Sequence, residues 1–278
     1  MSETVEARPL SPLASPDPWN LVVDGYDEIT RPFLGLFSRS GLARLHYGLE
    51  TRVIDIACGP GTTTLLLSPV VKHVTCVDFS AGMLAQLRRN AALAGATNLD
   101  IVDADGQALP FEDGSFDLGV SMFGLMFFPD RAKGFAELHR VLVPGGQALV
   151  SGWLPAEQSP FYRVVFAALQ PDDTPPQPTQ PLSTLEDRDV FEAEMHAAGF
   201  ADIRIEAVTH GFDVDDVERF WDDIVRAMAP VTMMKHNSSP TEWSKIEGRA
   251  LDRLRRSLEG QLPATLSTSA WLATARKG

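Results

Sequence analysis

Cysteine is scarce in this chain of 278 residues. Cys58 and Cys76 are the only two, and neither has a second cysteine or a histidine at zinc-ligand spacing, so no metal site is expected. The usage fits a reducing, cytoplasmic compartment. Long apolar runs are also missing. No stretch of about 18 apolar residues exists, so no membrane span is expected. Residues 1–18 lack the apolar segment of a secretory signal. Basic charge is in short supply, with 24 Lys and Arg against 37 Asp and Glu and a formal net charge of -13. That balance argues against nucleic-acid backbones and anionic membrane surfaces as partners. No Ser/His/Asp constellation and no internal repeat is evident. The hydrophobic fraction of 44% is ordinary for a soluble globular protein. The length suits one large domain or a domain with a lid.

What is present centres on Val53-Ile54-Asp55-Ile56-Ala57-Cys58-Gly59-Pro60-Gly61-Thr62-Thr63-Thr64. Residues 53–56 read as a buried strand. Gly59 and Gly61 let the backbone turn sharply and approach a ligand closely. The threonines supply hydroxyls at a helix start, and Leu65-Leu66-Leu67 give it an apolar face. Strand, glycine turn and helix form the opening unit of a nucleotide-binding α/β domain. Two features distinguish it from a dinucleotide loop. Asp55 places a negative charge just before the glycines, where a pyrophosphate gains nothing from it. Thr64 stands where the third glycine of the dinucleotide fingerprint would fall. The loop suits a ligand with a positive end and no phosphate.

This stretch resembles the first motif of the class I S-adenosylmethionine-dependent methyltransferases. The resemblance continues in order at Val77-Asp78-Phe79-Ser80, at Asp105-Gly106-Gln107-Ala108-Leu109-Pro110-Phe111, and at Arg140-Val141-Leu142-Val143-Pro144-Gly145-Gly146. It covers roughly residues 50–153 and looks most like the ubiquinone and menaquinone biosynthesis branch. One departure is Ala57, where the family usually has glycine. The implied fold is α/β: a Rossmann-like, seven-stranded, mostly parallel sheet with an antiparallel strand seven, helices on both faces and a helical lid. The implied cofactor is S-adenosyl-L-methionine. Asp78, about 20 residues past the glycine loop, is the acid for the ribose hydroxyls. Asp105 is the acid beside adenine, with Asp103 as its rival, and the Gly106 backbone N–H faces a ring nitrogen. Ala57, Cys58, Gly59, Gly61 and Thr63 form the loop, with Asp55 before it. Phe79, Met83 and Gln107 are further cofactor-binding candidates. Ser121, Met122 and Phe123 stand at the C-terminal end of strand four, the edge where ligands bind in open parallel sheets. In this family, helices ahead of the first strand cover the cofactor. Tyr26 then touches the methionine part or is an ordinary packing aromatic.

Along the chain, residues 1–18 read as a flexible N-terminus. Residues 19–48 form an N-terminal helical lid, with Pro32 breaking or kinking the pattern. Residues 49–278 form the Rossmann-like domain, with a helical lid insertion at 213–262. The five prolines at 171–181 read as a linker. Strand five starts at Gln147, after a Pro144-Gly145-Gly146 turn. Residues 231–236 read as an irregular, methionine-rich segment. Trp221, Met228, Met233, Met234 and Trp243 either line an acceptor pocket or make a small core for the insertion. His139 reads as structural. His46, His210 and His236 are candidates by type for a base, should the acceptor be a hydroxyl. The expected activity is methyl transfer to an O, N or C atom of a small organic acceptor such as a quinone or phenol, by a monomer or homodimer. The rival readings are a nicotinamide-dependent oxidoreductase and a non-catalytic nucleoside-binding module.

Overall fold

Short apolar runs, each followed by a turn and a helix, build the parallel part of one sheet. The computed structural model describes residues 11–171 and 184–278. Its parallel strands are β1 (Arg52–Ile56), β2 (His73–Asp78), β3 (Leu99–Asp103), β4 (Phe116–Ser121) and β5 (Leu142–Trp153). β6 (Phe200–Val214) and β7 (Ala264–Lys277) complete the order β3-β2-β1-β4-β5-β7-β6. β7 runs antiparallel to both β5 and β6. The fold is therefore the expected seven-stranded, mostly parallel, Rossmann-like sheet. Strand order reverses between β1 and β4, which places the binding crevice at their C-terminal ends.

The helices follow from local signals. α1 (Pro16–Gly25) and α2 (Arg31–Leu42) are joined by a π-helical turn at Tyr26–Thr30. Pro32 lies in the first turn of α2, where its missing N–H leaves no bond unmade. It starts a helix, and the irregularity falls in the wide turn before it. Order begins earlier than Trp19: a 3-10 turn spans Pro12–Ala14 and α1 starts at Pro16. The rest of the N-terminal segment, residues 1–10, lies outside the described residues, as does the proline-rich stretch beyond residue 171. α3 (Thr64–Leu67) is a single turn continued by a 3-10 turn, shorter than the expected helix to Val70. α4 (Ala81–Ala94) is capped by Ser80, whose hydroxyl accepts from the Met83 N–H, and ends at left-handed Gly95. Its Met83, Leu84, Leu87 and Ala91 are buried on one face.

α5 (Arg131–Val141), α6 (Pro160–Leu169) and α7 (Arg188–Ala197) complete the layers around the sheet. β5 begins at Leu142, five residues before the expected Gln147, because the Pro144-Gly145-Gly146 turn is absorbed as a bulge against β4. Between β6 and β7 lie α8 (Val217–Ala227), α9 (Ala229–Asn237) and α10 (Pro240–Leu258). Residues 231–236 are helical within α9, not irregular. Pro230 in the first turn of α9 favours that start. Trp221 and Trp243 stack with ring centroids 6.0 Å apart and belong to the core that the insertion shares with α6. Among the described residues, no helix is long and apolar enough to cross a membrane.

Candidate functional site

The glycine turn is held by its own neighbours. Asp78 ends β2 and accepts from the Gly59 N–H at 2.8 Å and the Ser80 N–H at 2.9 Å. Burial pushes its carboxyl up to about 6, against the pull of those donors. Asp55, one residue before the end of β1, is 1% exposed and accepts from the Thr64 hydroxyl at 2.7 Å. Burial pushes Asp55 up to about 7. Asp55 therefore ties β1 to α3 and is not a free charge facing the crevice. Ala57 adopts φ 57° in the left-handed region, which costs about 1–2 kcal/mol for a residue with a Cβ. Its methyl fits because Gly124 faces it. A Cβ on Gly124 would lie 2.2 Å from that of Ala57. Phe123, at φ 59°, is a second left-handed residue on the same edge, and its N–H is fixed at 2.8 Å by the Ser151 hydroxyl.

Two motifs that read separately in sequence are one network. Arg140 of α5 donates to the Phe111 carbonyl at 2.7 Å and the Leu109 carbonyl at 3.0 Å, while Glu137 accepts from the Leu109 N–H at 2.6 Å. Arg140 and Glu137 also pair with each other at 2.6 Å. The loop carrying Asp105, Gly106 and Gln107 is thereby pinned to α5. Within it, Asp105 accepts from the Gln107 backbone at 2.9 Å and side chain at 3.0 Å. Gly106 has no room for a Cβ, which would meet the Phe128 ring at 2.5 Å.

These parts enclose a cleft of about 270 Å³. Of the residues expected at the site, Tyr26, Ala57, Gly59, Asp78, Phe79, Met83, Asp105, Gly106, Gln107, Met122 and Phe123 line it. Asp55, Cys58 and Thr63 line a small adjoining recess, again with Tyr26 and Phe123. Two expected residues line neither. Gly61 packs under the loop at φ 93°, where a Cβ would strike Leu87 at 2.4 Å. Ser121 is fully buried and accepts from the Leu125 N–H at 3.2 Å. Asp103 is exposed and is not a wall residue, whereas its rival Asp105 is. Trp19, Phe127 and Phe128 line the cleft without having been expected there. The apolar run Leu125-Met126-Phe127-Phe128 just past β4 was the available signal.

A second cavity of about 460 Å³ adjoins the cleft and shares Leu13, Trp19, Tyr26, Phe123 and Phe127 with it. Its walls are aromatic: Phe33 from α2, Trp153 from β5, Phe161 and Tyr162 from α6, Phe212 from β6 and Phe220 from α8. Phe123 stacks on Trp153 at 4.1 Å. Phe212 meets Phe33 and Phe161 edge-on at 5.3 and 5.2 Å. Burial pushes the Tyr26 and Tyr162 phenols well above their ordinary range, so both stay protonated. Met228 lines this chamber, but Trp221, Met233, Met234 and Trp243 do not. His46, His210 and His236 line neither cavity; His210 is engaged with Ser40 at 3.0 Å, and His139 packs on Phe200.

The N-terminal helices close over this edge. Asn20 accepts from the Ser80 hydroxyl at 2.8 Å and the Gly82 N–H at 3.0 Å. Asp27 accepts from Asn90 at 2.6 Å, and Asn90 donates in turn to the Pro60 carbonyl of the glycine turn at 2.9 Å. Glu28 pairs with Arg226 of α8.

Comparison with known proteins agrees with this geometry. The family described as Methyltransferase domain matches residues 54–150. The chain is 43% identical over 99 residues to a demethylmenaquinone methyltransferase of Clavibacter sepedonicus, covering 36% of this chain and 40% of that one. A Thermus thermophilus protein of the same name is 38% identical over 125 residues, or 43% of this chain and 56% of the other. The chain thus spans about half the length of these curated relatives. Among solved structures, the YcgJ protein from Bacillus superposes with a TM-score of 0.57 at 21% identity, over 88% of this chain and 97% of that one. A [4+2]-cyclase, SpnF, superposes with a TM-score of 0.53 at 19% identity, over 87% and 80%. These structural likenesses speak to fold alone, and the cyclase shows why fold does not fix chemistry. Family match and sheet order converge: residues 54–150 are similar to a methyltransferase domain and lie on a Rossmann-like, seven-stranded sheet.

Proposed function

We propose that the protein transfers the methyl group of S-adenosylmethionine to an O, N or C atom of a small, apolar aromatic acceptor, of the quinol or phenol kind. One observation carries the reading. The cleft at the sheet's switch point shares Tyr26 and Phe123 with an adjoining chamber walled largely by aromatic rings. The names of the curated relatives support a reduced naphthoquinone as the first acceptor to try.

The cleft fits the cofactor. Asp78 has a carboxylate at the β2 tip for the ribose hydroxyls, although both its oxygens already hold backbone donors. Asp105 and the tight backbone at Gly106 suit the adenine edge, with Phe79 and Met83 as apolar flanks. The glycine turn and the Tyr26 recess suit the amino-acid end. When bound, S-adenosylmethionine supplies a methyl group activated on a sulfonium. The protein's part is alignment and exclusion of water. The Asn20 and Asp27 contacts hold α1 and the π turn over the cleft, and the rings of the chamber orient a planar acceptor. No side chain forms a covalent intermediate in this scheme. The nicotinamide alternative finds no support: Thr64 is buried and bonded to Asp55, and the matching family and curated relatives are methyltransferases. Buried, unpaired Cys58 and Cys76 suit a reducing, cytoplasmic setting.

Calorimetry with S-adenosylhomocysteine and with NADH tests the cofactor, and transfer from methyl-labelled S-adenosylmethionine to a reduced naphthoquinone or a phenol panel tests the reaction. Binding of the first ligand and labelled product are expected. NADH binding without S-adenosylhomocysteine binding would overturn the proposal.

A further inference from the structure

The buried face of β7 reads Ala264, Leu266, Thr268, Ala270, Leu272 at alternate positions. One hydroxyl interrupts an apolar stripe. Thr268 is 1% exposed, and its Oγ1 has no hydrogen-bond partner among the described residues. A buried hydroxyl left unpaired is destabilising, and native proteins keep few of them. Valine would fill the same space without that cost. Thr268 is also a wall residue of the aromatic chamber. Tyr26, Thr30, Tyr162, Asp215, Arg219 and Asp223 also line the chamber, while the Asp213 carboxylate takes the Thr265 hydroxyl at 2.7 Å and Asp216 caps α8; among the chamber's walls Thr268 is the buried hydroxyl left without a partner.

We propose that Thr268 is a specificity-determining residue, whose hydroxyl makes a hydrogen bond to a polar oxygen or nitrogen on the aromatic acceptor. This rests on reading the chamber as the acceptor site. The acceptor is then an aromatic ring system bearing a hydroxyl, carbonyl or amino group, seated so that this group meets β7 while its apolar faces meet the rings. An unsubstituted hydrocarbon of the same size would leave Thr268 unpaired and bind less well. Thr268 touches the acceptor's polar group and takes no part in bond making.

The test uses the full chain with S-adenosylhomocysteine present and two probes, 1-naphthol and naphthalene. Binding is followed by quenching of the tryptophans, two of which, Trp19 and Trp153, line the chamber. Wild type is expected to prefer 1-naphthol by about fivefold to tenfold, the range of one neutral hydrogen bond. Thr268→Val should erase that preference, leave naphthalene binding and S-adenosylhomocysteine binding unchanged, and unfold at the same or higher denaturant. Thr268→Ser should keep the preference. A purely structural role would lower stability in Thr268→Val and weaken both probes alike. A preference retained in Thr268→Val, absent from wild type, or lost together with naphthalene binding overturns the inference. Failure to bind S-adenosylhomocysteine at all is instead a failure of the proposed function, read out separately in the same titrations.

Discussion

The cleft and the chamber share a boundary but are built by different means. The cleft is set by backbone features: strand tips, a glycine turn and loops held by Asp78, Glu137 and Arg140. Apart from Leu13, Ala14, Trp19 and Tyr26, its residues fall in short motifs that each follow one strand. The chamber is side chains, delivered by α2, β5, α6, β6, α8 and the loop after β4. Backbone architecture tolerates little change, because a Cβ in the wrong place meets something immovable. Side-chain walls can be repacked around a new ligand while the sheet stays as it is. The likeness in fold to a [4+2]-cyclase at 19% identity fits that division.

The largest effect should come from testing the rigidity of the cleft. Gly124→Ala would place a Cβ 2.2 Å from that of Ala57. A loss of about 2–3 kcal/mol in denaturant unfolding is expected from this overpacking. The double variant Ala57→Gly with Gly124→Ala should recover most of it, since glycine at 57 both vacates the space and suits φ 57°. A double-mutant cycle showing additive losses would break the claim that these two positions fit each other. Next, Asp78→Ala should weaken S-adenosylhomocysteine by about 1–3 kcal/mol, by removing the carboxylate and freeing the Gly59 and Ser80 N–H groups. Calorimetry should show the chamber's affinity for naphthalene unaltered by that change. The reciprocal variant is Phe212→Ala, expected to weaken naphthalene by about 1–2 kcal/mol through lost apolar contact while S-adenosylhomocysteine binds as before. Equal loss of both ligands in either variant would show that the two regions are not separable.

The smallest effect on cofactor binding is that of pH. Asp78 titrates at about 6 in the folded chain, against 3.8 for an ordinary aspartate. Between those values the folded chain keeps a proton that the unfolded chain has released, so ligand-free stability falls as pH rises from about 4 to about 7. Cofactor affinity should move the other way, strengthening from pH 5 to pH 7 as the carboxylate ionises, by less than the Asp78→Ala effect. Paired thermal melts and titrations check both directions. An affinity flat across this range would separate Asp78 from ribose binding.

The same contrast explains what could be read in advance. The strands and the acids near the tips of β1 and β2 follow from apolar runs ending at glycine or aspartate. Those signals are local, and the family resemblance adds the sheet order. What Asp55 does was less legible. A charge beside a glycine turn looks alike whether it faces a ligand or, as here, a buried threonine one turn away. Ser121 and Gly61 were misplaced for a related reason: a strand end and a turn each have a ligand side and a core side, and one residue's shift exchanges them. The chamber could not be assembled from sequence at all. Phe220 and Trp221 are adjacent on α8, yet the first faces the chamber and the second packs on Trp243. Periodicity shows that both are buried but not against what.

Gly25 has one last consequence. A side chain there would land 2.2 Å from the Arg226 carbonyl, so α1 and α8 meet backbone to backbone. The nearby Glu28–Arg226 pair fastens the same seam. The front of the molecule and its insertion are therefore joined along one tight seam. Under the proposed function, opening that seam would unseal the cleft and the aromatic chamber in a single movement.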